Sequence, residues 1–305
     1  MAITGTGAGN DPFVVTTYSE LAQKITNPDS LSECYIKVGN DINIADEYPF
    51  GDMPILNFGV NVFLDGDGKT IRNWYHINNN SVINMQNYPC RMENLSIRNI
   101  MHKPVSSSAL FLQVMINSST NITNPLIDNC IFVGESFGTF CSLFSNSKTV
   151  QVVRSSVFNI LCHGNTYFTH TSGGVYGLHF ESCNTKIVSE GGGSGLLAFG
   201  TTHIPKNSYF DISIPNGNPS ASNIIVSDGG FDNCVIKLST PLSSEAQTKS
   251  TFGVSGSGLS VSIINTSASP GVEPETATQL KEVTDQNWHN IAYLQSIGFS
   301  AGEIT

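Results

Sequence analysis

The sequence predicts an all-β chain wound into a right-handed parallel β-helix, a solenoid of coils about 26 residues long, and three observations carry that prediction. Charged residues make up only 12% of the 305 positions while Gly, Ser, Thr and Asn abound, a balance suited to short strands joined by many turns. A short pattern recurs at 66–71, 92–97, 127–132, 153–158, 180–183, 205–210, 231–236 and, weakly, 258–261: apolar, charged, then Asn, Ser or Gly, then a small or apolar residue, a variable one, and Ile, Phe or Val. Its anchors at 68, 94, 129, 155, 182, 207, 233 and 258 are spaced by 26, 35, 26, 27, 25, 26 and 25 residues.

Taken in order, the chain divides into an N-terminal cap at 1–34, the β-helix at 35–263 and a C-terminal segment at 264–305. Thr17-Tyr18-Ser19-Glu20 is a capping box, and Leu21 and Ile25 follow on the face of Tyr18, so residues 17–26 are expected to form an amphipathic helix that closes the first coil. The run from Tyr35 to Ile44 is apolar at alternate positions and reads as the first strand. Within each coil the Asn, Ser or Gly suits a bend, where Asn accepts the left-handed conformation and can hydrogen-bond its counterparts in neighbouring coils. The single 35-residue step implies a nine-residue insertion between Ile100 and Pro125, a surface loop.

Two columns follow from the repeat. Cys130, Cys183 and Cys234 share a place beside the bend, which accounts for them as small core residues. The charged members are Asp67, Glu93, Asp128, Arg154, Glu181, Lys206 and Asp232; from 128 onward their signs alternate, so pairs across coils about 4.8 Å apart would each contribute a few tenths of a kcal/mol.

After Ser262 the pattern fades into a Ser-, Pro- and Gly-containing linker, and a second helix is expected from Thr284 to Gly298. Trp288, Ile291 and Leu294 on it, with Phe299 beyond, are candidates for assembly or attachment, either on the chain's own last coil or on a partner.

The net charge of −10, with only four Arg among 14 basic residues, excludes a phosphate-neutralising surface, and nucleic acid is not an expected partner. The N-terminus carries no signal-peptide pattern and no window nears the roughly 20 apolar residues of a membrane span, so cytosolic synthesis without membrane insertion is expected. Seven cysteines without a CxxC pair suggest buried thiols rather than disulfides or zinc ligands. His163, His170 and His179 are spaced by seven and nine residues, which does not place them on one metal-binding face; neither a metal nor a cofactor is expected. Trp74, Tyr75, Tyr167 and Phe168 are candidates for a sugar-stacking surface, although packing explains them equally well.

The order of an N-terminal helix, YIKVGNDINI, FLDGDGKTIRNW and a coil containing FDNCVI resembles the pectin-lyase-like right-handed β-helix superfamily over residues 12–263, with DGDGKTI its most specific element. The ending AYLQSIGF additionally resembles β-helical structural proteins of bacteriophage virions. The resemblance implies a fold that hosts polysaccharide lyases, glycosidases, tailspikes, head decorations and adhesins. The carboxylate and Gly-His-Gly signatures of the hydrolases are missing; Cys162-His163-Gly164 and Ser227-Asp228-Gly229-Gly230 are partial echoes. Arg154 stands between Asp128 and Glu181, without the further acids that a calcium-dependent lyase needs. The expectation is therefore a non-enzymatic virion protein on a phage head or tail, a head fibre, decoration or receptor-binding spike. It would be trimeric, in contact with other virion proteins, and able to bind host polysaccharide. The competing expectation is a polysaccharide lyase or depolymerase of the same fold.

Overall fold

A computed structural model of the chain describes residues 3–29, 31–49, 53–59, 61–77, 80–85, 89–105, 111–116, 127–145, 152–163, 168–171, 179–190, 197–199, 205–214, 225–227, 234–239, 252–254, 261–265 and 280–282. The strands form three sheets in which every ladder is parallel, the arrangement of a β-solenoid. The seven-stranded sheet runs Phe13–Val15, Cys34–Val38, Val62–Asp65, Cys90–Glu93, Ile127–Asp128, Val152–Arg154 and His179–Glu181. The ten-stranded sheet begins at Ile42–Asn43 and proceeds through Thr70–His76, Ser96–His102, Ile131–Ser136, Val157–Cys162, Asn184–Ser189, Tyr209–Ser213, Cys234–Ser239 and Val261–Asn265 to Leu280–Glu282. An eight-stranded sheet, from Leu56–Asn57 to Phe252–Val254, completes each coil. The sheet system thus reaches back to Phe13–Val15 and forward to Leu280–Glu282, beyond the 35–263 core expected from the repeat.

Alternation decides which side chains fill the interior. Cys34–Val38 has its first, third and fifth residues buried. Inward phenylalanines stack from coil to coil: Phe132 on Phe158 at 4.9 Å and 2° between planes, and Phe140 on Phe168 at 5.7 Å and 7°.

The expected bend is present. Asn94, Asn129, Ser155, Ser182 and Asn207 all have φ between 45° and 55°, the left-handed region. Their amides also link coils: Asn129 Nδ2 donates to Asn94 Oδ1 at 2.9 Å, and Asn94 Nδ2 to Asp65 Oδ1 at 3.0 Å. A second amide ladder, Asn43–Asn73–Asn99, runs along the ten-stranded sheet. There Asn73 (φ 64°) and Asn99 (φ 53°) bulge their strands, and the next coil drops the extra residue at Val133/Gly134.

One alignment needs correcting. The first bend spans Gly66 to Lys69 where the second has only Asn94 and Leu95, so Glu93 pairs in register with Asp65 and not with Asp67, while Thr70 and Ser96 still match. Asp67 sits out on the longer turn, where its carboxylate lies 3.1 Å from Lys37 Nζ. From there the column continues Glu93, Asp128, Arg154, Glu181 and Lys206, with Arg154 paired to Asp128.

The cap helix covers Tyr18–Thr26. Thr17 Oγ1 accepts from Glu20 N at 3.2 Å, but Glu20 Oε2 accepts from Thr16 N at 2.8 Å, one residue earlier than a capping box places it. The open Tyr18 and Ser19 amides donate instead to the Glu47 carboxylate at 2.6 and 3.0 Å. Among the described residues no helix is long and apolar enough to cross a membrane.

Candidate functional site

Trp74 is fully buried; its Nε1 donates to Ile71 O at 3.0 Å, and it meets Tyr18 of the cap helix edge-on at 5.4 Å. Phe168 is equally buried in the phenylalanine stack. Neither ring has a face to offer a sugar, and both are withdrawn as ligand contacts: the bulge at Asn73 turns Trp74 inward as well as Ile71, and Phe168 packs in the core just before its strand. Tyr75, the neighbour of Trp74, points outward and is 38% exposed. Tyr167, Trp288, Ile291, Leu294 and Phe299 lie outside the described residues, as does Asp232.

Tyr75 belongs to a larger surface. Of the large apolar side chains exposed among the described residues, Tyr75, Ile77, Met101, Val105 and Phe137 gather where strands of the ten-stranded sheet end, and only Leu31 lies elsewhere. Tyr75, Met101 and Glu135 are in register on adjacent coils. One step outside the next column, Lys103 N, Phe137 N, His163 N and Glu190 N donate to His76 O, His102 O, Ser136 O and Cys162 O. These bonds extend the ladder and align Ile77, Lys103, Phe137, His163 and Glu190 along the solenoid. Phe137 lies flat on the His163 imidazole, centroids 4.0 Å apart, with Lys103 Nζ 5.5 Å from the Phe137 ring. His163 is held from both sides: Nδ1 is 2.8 Å from Glu190 Oε2 and Nε2 3.0 Å from Glu135 Oε2. Burial pulls the imidazole down, but the Glu135 and Glu190 hydrogen bonds outweigh it and raise its pKa above the ordinary value.

Directly behind this surface His76, His102, Ser136, Cys162 and Ser189 face inward in one column. His102 Nδ1 lies 2.9 Å from Ser136 Oγ, the spacing of a nucleophile and its base. The serine's one proton, however, goes to Gly138 O at 2.7 Å, so His102 Nδ1 is the donor and Ser136 the acceptor. With both groups fully buried, the pair is structural.

A concavity of about 300 Å³ lies on the seven-stranded sheet among Gly9, Pro12, Tyr35, Phe63, Arg91, Asp65 and Glu93. Tyr35 and Phe63 stack at 4.9 Å, so the ring edges line the cleft while one face of each is taken. Arg91 is paired with Glu93, and its Nε is buried without a hydrogen bond. No grouping of three or more metal-type ligands occurs among the described residues.

All seven cysteines are buried and none forms a disulfide. Burial pushes the Cys90 and Cys130 thiols up to about 12, far from the thiolate that redox chemistry requires. Cys130, Ser156, Cys183, Ser208 and Cys234 alternate in the core column beside the bend. Each serine hydroxyl accepts from the cysteine amide of the preceding coil, Cys130 N to Ser156 and Cys183 N to Ser208, both at 3.1 Å.

Sequence reasoning missed the exposed surface around Phe137, yet its signal was available: His163 follows Phe137 by one coil, as Glu190 follows His163.

No family model and no curated protein matches the chain. Among solved structures the chain is similar to a Bacteroides ovatus protein provisionally described as an immunoglobulin A1 protease, at 17% identity and a TM-score of 0.52, covering 92% of this chain and 85% of that one. At that identity the likeness supports the fold alone.

Proposed function

We propose that the protein is a non-enzymatic solenoid of a phage virion, displayed on head or tail as a trimer, that grips surface glycans with the exposed end of its ten-stranded sheet. One observation carries the glycan reading: exposed Tyr75 and Met101 stand side by side in one column, Phe137 lies two residues beyond Glu135 on the next coil, and Glu135 and Glu190 stand near, a mix of apolar and carboxylate groups that matches the apolar faces and hydroxyl rims of sugar rings. The virion assignment leans on the sequence resemblance. The experiment is binding of the intact chain to an array of bacterial surface polysaccharides, with Tyr75→Ala and Phe137→Ala as variants. Retention by at least one polysaccharide, weakened about fivefold or more by either variant, supports the reading; no retention, or retention that neither variant alters, overturns it.

The cleft beside Arg91 favours a second reading, a polysaccharide lyase or depolymerase, because a guanidinium paired with Glu93 lines it together with Asp65. New reducing ends released from a bound polysaccharide, and lost in Arg91→Ala, would replace the first reading with the second.

A further inference from the structure

We infer that His163 is a proton-operated latch on the Phe137 surface, keeping it flat and charge-balanced only while the imidazole is protonated. The inference rests on the reading of this surface as the contact site, and names its regulation.

The hydrogens on the ring can be counted. Each ring nitrogen of His163 lies within hydrogen-bond distance of a carboxylate oxygen, Glu190 on one side and Glu135 on the other. An ionised carboxylate only accepts, so both nitrogens must donate, and only the imidazolium carries a proton on each. The two acids come from the coils on either side of His163: Glu135 lies on Ile131–Ser136 and Glu190 just past Asn184–Ser189. One charged ring therefore ties three successive coils together at the surface. On its own strand, Cys162 faces the core; across the ring lies Phe137, and beyond Phe137 stands Lys103.

Charge follows the same count. With His163 protonated, Lys103 and His163 balance Glu135 and Glu190. Loss of the proton shifts the charge of these four groups to −1 and takes the ring's hydrogen bond from one of the two carboxylates. It also removes the cation beneath the Phe137 ring, which now shares its stack with a neutral imidazole. An apolar strip that gains a net negative charge and loses an anchor becomes a poorer contact surface. Docking is thus favoured below the His163 transition and weakened above it, and the raised imidazole pKa places that transition above 6.5.

Two measurements on the intact chain test this without any glycan, so that failure of the latch and failure of the glycan reading remain separable. The first is the NMR titration of the His163 ring, assigned by its disappearance in His163→Gln. A midpoint above 6.5 that falls in Glu135→Gln is expected; a midpoint at or below 6.5, or one indifferent to Glu135→Gln, overturns the inference. The second is binding of the anionic apolar dye anilinonaphthalene sulfonate from pH 6 to 9. The wild type should lose signal severalfold across this range, His163→Gln should vary little, and Phe137→Ala should be low throughout. A His163→Gln profile that follows the wild type overturns the latch. Should His163→Gln fail to fold, Glu190→Gln takes its place, with the dye transition moved to lower pH as the expected result and an unmoved transition as the contrary one.

Discussion

His102 and His163 stand in neighbouring columns of the same sheet and respond to acid in opposite senses. Burial, reinforced by His76, lowers His102 from 6.5 to about 3. Its folded pKa lies below its unfolded one, so the stability it contributes is present above 6.5 and is lost as pH falls toward 3, with a ceiling of about 5 kcal/mol. His163 is raised, so its contribution is present below 6.5 and disappears as pH climbs through the folded value. The larger shift belongs to His102, and acid should therefore destabilise the fold. Urea midpoints at pH 7, 5.5 and 4 should fall steadily in the wild type and more gently in His102→Gln, which keeps an amide for Ser136 but does not titrate; parallel profiles would acquit His102. Gly134 is a second single-residue dependence. A Cβ there would stand 2.4 Å from Ile100 Cβ and O, so Gly134→Ala should cost about 1–3 kcal/mol in a denaturation experiment. The left-handed Asn and Ser positions were legible because small polar residues recurred at one period. Asn73 and Asn99 were as legible in principle, since Ile71-Arg72-Asn73 returns as Ile97-Arg98-Asn99, but an asparagine inside a strand is not where a bend is sought.

At the scale of elements, the helix was readable from Thr17 and Glu20 because its start is encoded within four residues. Its true capping partner was not, because Glu47 follows 29 residues after Tyr18 and no local pattern announces it. Thr17→Ala should lower stability by about 1 kcal/mol, and Glu47→Ala by a comparable amount, since it strips acceptors from two helix-terminal amides. Thermal melts of the two variants and their combination check this: if Glu47 mattered only to its own turn, its loss would leave the melt unchanged. The misplacement of Asp67 has a similar origin. A repeat aligned on the strand that follows a bend does not reveal how many residues the bend holds, and the first bend holds two more than the second.

For the whole molecule, a period near 26 sufficed to predict parallel sheets, because each coil must bury its apolar face on the next. The Phe137 surface was beyond that reading. It depends on which alternate residues face outward, and on neighbours such as Phe137 and His163 that meet only when two coils are stacked. The trimer proposed here predicts a light-scattering mass of three times 32.8 kDa for the full chain and a monomer for a chain ending at Glu282. A monomer in both cases would dismiss the trimer.

The alternation of Cys130, Ser156, Cys183, Ser208 and Cys234 gives this rod a parity. Each serine serves the cysteine amide one coil before it, so the unit that repeats without mismatch is two coils, not one. Excising residues 156–182 would bring Cys183 onto Cys130 and leave the Cys130 amide with no hydroxyl to accept its proton, whereas excising 130–182 would set Cys183 where Cys130 stood, its own serine still following. Lengthening or shortening of such a chain, by evolution or by design, should therefore proceed in even steps.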